Sequence, residues 1–281
     1  MSSSIKVSLL LTCLLAFIFG LFVFVRSSLA IPSAFTIGPL TIRYYALAIM
    51  AGVLLALYLF HEEKKKYKQF SSFQTEDALL WAFVPAIVLA RIWHFIAEYP
   101  AYSSDPLQIF FVWQGGLTIM GAVLGGIIGA SIYARKVNVK PLEIIDLAII
   151  FVPLAQLVGR FGNFFNQELY GPVTNLPWGM YIDETKQFHH PAFLYEQVLN
   201  LLLFQLLYQL YRKKKSLGKG IYLTVYILGY SVIRFSLDFF RMDRKILFDL
   251  TSPQLIAIPT AIMAMVILFR IWNQSYVSKQ A

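Results

Sequence analysis

The sequence predicts an all-α integral membrane protein. It reads as a polytopic helical bundle of seven core transmembrane helices plus an extra N-terminal one, with a small extracytoplasmic head. Three observations lead there. Apolar residues make up 58% of the 281 residues and charged ones only 14%, against about 45–50% and about 25% in soluble domains. The excess falls in long runs, far beyond the ~10 residues of a barrel strand, so the spans are helices that satisfy their own backbone in lipid. The formal net charge of +9 is gathered in short loops, which reads as membrane topology, not as binding of nucleic acid. Mean hydropathy, +0.63, agrees.

Residues 7–25 form an apolar run after Lys6. They read as a retained signal anchor or as a signal peptide cleaved after Ser28-Leu29-Ala30, a small-x-small site; the retained helix is favoured. Residues 1–30 are therefore set apart as a leader, and 31–281 form the membrane domain. The second span, 44–60, leads into the lysine-rich loop HEEKKKYK. The third, 78–97, is interrupted by Pro85, Arg91 and His94. Residues 98–114 form an aromatic loop without lysine or arginine. The fourth span, 115–133, carries Gly115, Gly116, Gly121, Gly125, Gly126 and Gly129. Small residues at that density let helices approach closely; Gly115 and Gly116, at the helix start, could instead leave room for a ligand.

After the basic loop ARKVNVK, the fifth span, 142–158, delivers Arg160. Residues 161–190 hold Gly171, Pro172, Pro177 and Gly179 and read as a compact head outside the membrane. Spans at 193–211, 220–239 and 253–272 complete the chain. Lysine and arginine crowd the loops after spans two, four and six and are sparser on the opposite side, so both ends are expected in the cytoplasm and the head outside. The single cysteine, Cys13, excludes a within-chain disulfide framework or a cysteine metal site.

The chemistry gathers around Gly159–Gly171, GRFGNFFNQELYG, where an arginine, two asparagines, a glutamine and a glutamate follow a membrane span. Polar groups there are costly unless they face a cavity, each other or a substrate. The seventh span carries Arg234, Asp238 and Arg241 on one helical face. Two readings stand: an intrahelical ion pair that bolts the bundle, or a cationic pocket in which Asp238 orients an arginine toward an anion. Arg43, Arg160 and Arg241 all end spans on the outer side, where they can snorkel to lipid phosphate. His189-His190-Pro191 precedes the sixth span, with Tyr195 and Glu196 just inside it. No HExxH, Ser/His/Asp order, Walker loop or nucleotide fingerprint is present. An arginine fork matches phosphate oxygens, so the residues by themselves point to an anionic lipid or amphiphile.

GRFGNFFNQELYG closely resembles the signature of the bacterial prolipoprotein diacylglyceryl transferases. IGPLTIRYYAL, ARIWHF, DPLQIFFVWQGGLTIMG, HPAFLYE and GYSVIRFSLDFFR resemble further blocks of that family, in order from about Ile37 to Pro259. The resemblance implies transfer of the diacylglyceryl group of phosphatidylglycerol to the thiol of a lipobox cysteine in a prolipoprotein signal peptide, with glycerol phosphate leaving. It implies no cofactor and no metal. It places the enzyme in the bacterial inner membrane, multi-pass, with the site toward the extracytoplasmic side and membrane lipid and prolipoproteins as partners. Arg160 and Arg234 fall on the phosphate-handling positions. Tyr45, Glu168 and Asp238 join them as catalytic candidates; Asn163, Asn166, Gly171, Arg241, Gly115, Gly116 and Tyr195 are expected to bind substrate. Two positions depart from the pattern. Met120 stands where many relatives carry a histidine proposed as base, and Asp238 where glutamate is common. An inactive relative that binds the lipid or peptide, and a transporter of anionic lipid, are the alternatives; the absence of an inverted repeat argues against the transporter.

Overall fold

The computed structural model describes residue 20 and residues 32–38, 40–103, 105–112, 115–241 and 245–280. The expected leader helix, 7–25, and its cleavage site lie outside the described residues, Gly20 excepted. In chain order the elements are β1 (Ala34–Ile37), β2 (Leu40–Arg43), α1 (Tyr44–Lys64), α2 (Thr75–Ala97), α3 (Tyr99–Tyr102), α4 (Ile119–Lys136), α5 (Pro141–Ala148), α6 (Val152–Gly159) and α7 (Phe161–Asn166). There follow β3 (Met180–Ile182), β4 (Gln187–His189), α8 (Ala192–Lys214), α9 (Ile221–Leu237), β5 (Lys245–Leu247), β6 (Leu250–Thr251) and α10 (Ser252–Gln280). The chain is a mostly helical, multi-pass membrane protein. Among the described residues four helical stretches can cross a membrane by length and composition: Tyr44–Lys64, Thr75–Ala97, Ile221–Phe240 and Ser252–Asn273. Pro141–Ala148 with Val152–Asn166 makes a fifth if that broken pair is one span.

Three differences from the sequence expectation have local causes. Among the described residues the strands form three antiparallel hairpins, β1–β2, β3–β4 and β5–β6, so the chain is not purely α. Each turn contains residues with positive φ: Gly38, Lys186, and Phe248 with Asp249. The expected continuous span 142–158 is broken between α5 and α6, and α6 starts again with Pro153 in its first turn. The fourth span starts four residues late, at Ile119, because Gly115 and Gly116 adopt φ of +93° and +68°, outside any right-handed helix.

The chain divides into two compact units. One comprises residues 60–147. Here α2 packs along α4, and the glycines explain how. A Cβ at Gly121, Gly125 or Gly129 would collide with the backbone at Leu89, Pro85 or Trp81 respectively. The three are spaced by four, so they form one stripe on α4. A fourth glycine, Gly126, faces open space. Tyr133 closes the far end, donating to Asp77 Oδ2 at 3.0 Å and accepting from the Gln74 amide at 3.2 Å.

The other unit comprises residues 1–59 and 148–281. In it α8 packs against both α6 and α9, and α9 also packs against α10. A Cβ on Gly52 of α1 would lie 2.5 Å from the Ala155 carbonyl oxygen, and one on Gly229 of α9 2.5 Å from Leu203. The inward face of α8 carries buried Glu196, Gln197 and Asn200; Gln197 donates to the Leu157 carbonyl at 2.9 Å, tying α8 to α6. Met180, Ile182, Phe193 and Leu194 form a small apolar core with Phe164 and Tyr170 against it, which fixes hairpin β3–β4 on the start of α8. Helix α10 opens with a capping box: Gln254 N–H donates to Thr251 Oγ1 at 3.4 Å, and the Thr251 amide donates to Gln254 Oε1 at 3.0 Å.

The glycine stripe makes a sharp prediction. Gly125→Val forces α4 away from α2 and should destabilise by about 1–3 kcal/mol or more, as overpacking does, while Gly126→Ala should be neutral. Thermal denaturation in detergent checks it; equal behaviour of the two variants would contradict the close approach.

Candidate functional site

Arg160 caps the C-terminus of α6, and its amide still bonds to the Gln156 carbonyl at 3.0 Å. From there its side chain meets α8. Arg160 Nη2 lies 2.5 Å from Glu196 Oε1, and Nη1 donates to Asn163 Oδ1 at 3.2 Å. Asn163 in turn donates to Glu168 Oε1 at 2.7 Å, and Asn166 to the same oxygen at 3.4 Å. Glu168 can reach back because its neighbours Gln167 and Leu169 both have positive φ, 51° and 56°, and the Glu168 amide bonds the Asn163 carbonyl at 3.1 Å. Arg160, Asn163, Asn166 and Glu168 are therefore one network, while Gln167 pairs with Asp183 instead.

Helix α9 supplies the second half. Arg234 Nη1 is 3.9 Å from Glu196 Oε2, and its Nη2 is 3.1 Å from Asp238 Oδ1. Arg241 Nη1 approaches the same Asp238 oxygen at 3.8 Å. Asp238 Oδ2 accepts from Thr251 Oγ1 at 2.6 Å. Tyr230 donates to Glu196 Oε1 at 3.4 Å. The two oxygens of Glu196 are thus shared between Arg160 and Arg234.

Burial makes this arrangement consequential. The side chains of Glu196 and Asp238 are 3% and 0% exposed, those of Arg160 and Arg234 22% and 15%. Charges so enclosed persist only when paired. The intrahelical ion pair of Arg234 with Asp238 is present, and the same arginine also approaches a second carboxylate, Glu196. Arg160 and Arg241 each pair with a buried acid. Among the described residues Arg160 Nε is buried without a hydrogen-bond partner.

Other expected residues fall around this network. Tyr45, half-buried at the start of α1, lies against Gly162, where a Cβ would sit 2.5 Å from its ring. Gly171 is held by its amide to the His190 carbonyl at 2.8 Å and by its carbonyl to His189 Nδ1 at 2.7 Å. A Cβ there would collide with the Phe240 carbonyl, so Gly171 permits a backbone crossing beside the Asp238 turn. Tyr195 Oη accepts from Trp178 Nε1 at 3.1 Å and pairs with His190 Nδ1 at 2.8 Å. These three line an apolar cavity of about 580 Å³ together with Leu194, Leu237 and Phe240. Tyr195 and Glu196 are consecutive, as are Leu237 and Asp238, so cavity and ion network share two stretches of chain.

Gly115 and Gly116 belong to the other unit. There the buried Arg91 donates to the carbonyls of Ile109 at 2.8 Å, Gly115 at 2.6 Å and Gly116 at 3.2 Å, and to those of Gln108 and Phe111. Arg91 is saturated by backbone oxygens and organises the loop. Gly116 abuts Arg91 and His94 with no room for a Cβ, whereas Gly115 faces open space. Met120, second residue of α4, is 58% exposed.

Sequence reasoning placed Glu196 beside Tyr195 but did not count it as a site residue, and it passed over Tyr230 and Thr251. The missed signal was Glu196 itself: a buried carboxylate needs a cation beside it, and Arg160 and Arg234 supply it.

Residues 32–270 match the family described as prolipoprotein diacylglyceryl transferase. Among similar proteins, one from Gloeobacter violaceus is 33% identical over 84% of this chain and 90% of its own length. One from Lysinibacillus sphaericus is 38% identical over 81% and 87%, and one from Streptococcus equi subsp. zooepidemicus 35% identical over 88% and 97%. All three carry the name phosphatidylglycerol–prolipoprotein diacylglyceryl transferase.

The crossing at Gly171 gives a second prediction. Gly171→Ala should displace the Phe240 turn and cost about 1–3 kcal/mol. Loss of thermal stability in purified protein checks it; an unchanged melting temperature would show that the turn yields freely.

Proposed function

The chain belongs to the prolipoprotein diacylglyceryl transferase family, and we propose that it performs that transfer through the arginine–carboxylate network around Glu196. It is a transferase. The diacylglyceryl group moves from phosphatidylglycerol to the thiol of a prolipoprotein lipobox cysteine: a C–S thioether bond forms, the C–O bond to phosphate breaks, and the phosphate oxygen keeps the electron pair.

The observation that carries the mechanistic part is the sharing of the Glu196 carboxylate between Arg160 and Arg234. Glu196 holds two guanidinium groups side by side without using all their N–H edges. A phosphodiester placed there meets two planar forks. As glycerol phosphate departs, its developing charge is met by cations already in place, which is where fixed charges lower a barrier. Asp238 keeps Arg234 oriented, Asn163 and Asn166 hold Glu168 beside Arg160, and Tyr45 stands next to Gly162 at the same end of the unit. Arg241, Gly171 and Tyr195 frame the approach; Gly115 and Gly116, which lie in the other unit, are proposed as substrate contacts in their own right. No protein nucleophile is needed, because the attacking atom is the substrate's own thiolate. Met120 has no basic nitrogen, so the thiol proton goes to another group or to water. A thiol with pKa near ~8.5 requires only modest help.

The topology belongs to the same reading. Seven core spans and a leader helix, 1–30, place both chain ends in the cytoplasm and the head, 161–190, outside the bacterial inner membrane. The loop charges support this.

The test is incubation of the protein in phosphatidylglycerol vesicles with a lipobox peptide, read by mass spectrometry. Wild type should add a diacylglyceryl group. Arg160→Ala and Arg234→Ala should abolish transfer in folded, inserted protein, and Arg→Lys should not restore it fully, because lysine lacks the fork. Full turnover by folded Arg234→Ala would remove that residue from the mechanism. A further expectation concerns pH. Wild-type transfer should rise from about pH 6 toward the thiol pKa, and Met120→His should raise it near pH 7 by up to the ~10²–10⁴ that a positioned base supplies. No transfer by wild type with robust transfer by Met120→His would make this chain an inactive binder of lipid or peptide.

A further inference from the structure

Hairpin β5–β6 breaks a local rule. Its register pairs Leu247 with Leu250, leaving Phe248 and Asp249 as a two-residue turn with φ of 52° and 58°. Positive φ at both central positions defines a turn that wants Asn-Gly or a similar pair. A bulky residue there is uncommon and strained. Phe248 nevertheless occupies the first position, and it is 83% exposed. The strand residues beside it add to the same apolar surface: Ile246 is 63% and Leu247 52% exposed. Among the described residues nothing covers this tip, and water would be a poor partner for it.

Connectivity says what covers it. The chain leaves the membrane-crossing stretch Ile221–Phe240 and re-enters another at Ser252–Asn273, so the hairpin spans the short connection between two bilayer crossings. Its base is tied to the crossings on both sides. Asp238, which follows α9, accepts from Thr251 Oγ1 at 2.6 Å, and Thr251 is at once the last residue of β6 and the cap of α10. The hairpin therefore cannot stand far from the level at which both helices leave the hydrocarbon. An exposed Ile-Leu-Phe tip held at that level meets lipid, where apolar side chains and aromatic rings partition readily.

We propose that hairpin β5–β6 is a bilayer-seated finger, with Ile246, Leu247 and Phe248 inserted among the lipid acyl chains beneath the headgroups. The strained turn then presents Phe248 to the occupant that accepts it. The finger also acts as a depth stop: through Thr251 and Asp238 it holds the guanidinium of Arg234, 3.1 Å from Asp238, at a constant level relative to the lipid surface. This inference needs the two flanking spans and does not depend on the transfer reaction.

Spin-label depth measurement tests it on the full chain. In a Cys13→Ser background, Phe248→Cys and, separately, Leu247→Cys carry a nitroxide in vesicles of phosphatidylglycerol and phosphatidylcholine. Lys186→Cys, in the exposed turn of β3–β4, is the reference outside the membrane, and Met263→Cys, exposed on α10, the reference in lipid. The ratio of oxygen to nickel-complex accessibility at 248 and 247 should exceed that at 186 at least threefold and approach that at 263. A ratio at both positions equal to that at 186 would overturn the proposal. So would a water-exposed label that becomes shielded only when a lipobox peptide is added, since the finger would then be a peptide-docking element.

Discussion

The structure of the larger unit depends on one buried carboxylate. Glu196 lies on a helix inside a membrane protein with 3% of its side chain exposed. Left alone it would carry a prohibitive desolvation cost. It is offset by Arg160 at the end of α6, Arg234 on α9 and the Tyr230 hydroxyl. Three helices are thereby pinned to one point. The same point fixes the rest of the network, since Arg160 organises Asn163 and Glu168 while Arg234 organises Asp238, Arg241 and the cap of α10. Removing any one member exposes another to burial without a partner. The contact that permits charges in the interior is also the one that brings two guanidinium groups to a single carboxylate.

Close backbone approach is the second constraint, and it follows from the solvent. In lipid, apolar side chains gain little by leaving their surroundings, so helices associate through packing and small residues. Gly121, Gly125 and Gly129 do this for α4 against α2, and Gly52 and Gly229 do it in the other unit. Gly162 and Gly171 apply the same device to the site. One admits Tyr45 beside the helix that follows Arg160, and the other admits the turn after Asp238 beside His190. Gly162 and Gly171 are therefore specific in what they exclude: neither has room for a Cβ.

Much of this was legible in the chain itself. Hydropathy runs marked α1, α2, α9 and α10 because each contains a long apolar stretch with few charges. The glycine stripe was legible because its spacing of four is the helical one. The resemblance singled out Arg160 and Arg234, and the offset of four between Arg234 and Asp238 implied their pairing. What could not be read is what depends on tertiary partners. The break before α6 is a backbone event in an unbroken apolar run. The hairpins are too short for a pattern of their own. Glu196 sits in a helix whose inward polar residues, Gln197 and Asn200, make it read as an ordinary amphipathic segment until its partners are in view. Arg91 was ambiguous for a related reason: a buried arginine can be satisfied by carbonyls, and no sequence pattern announces a loop that turns five of them inward.

The central claim is that Glu196 holds Arg160 and Arg234 in register for the phosphate of the lipid. It is tested most directly by steady-state diacylglyceryl transfer with Glu196→Gln, normalised to folded protein. Glutamine keeps the size of the side chain and removes the charge that both arginines share. The account predicts that the anionic lipid still binds, with KM for phosphatidylglycerol no higher than in wild type, because two cations remain and an acid has gone. Turnover should nevertheless fall by about 10²-fold, the scale of a lost alignment. Wild-type kcat in folded Glu196→Gln would contradict it, and would leave Glu196 as a packing charge with no part in aiming the arginines.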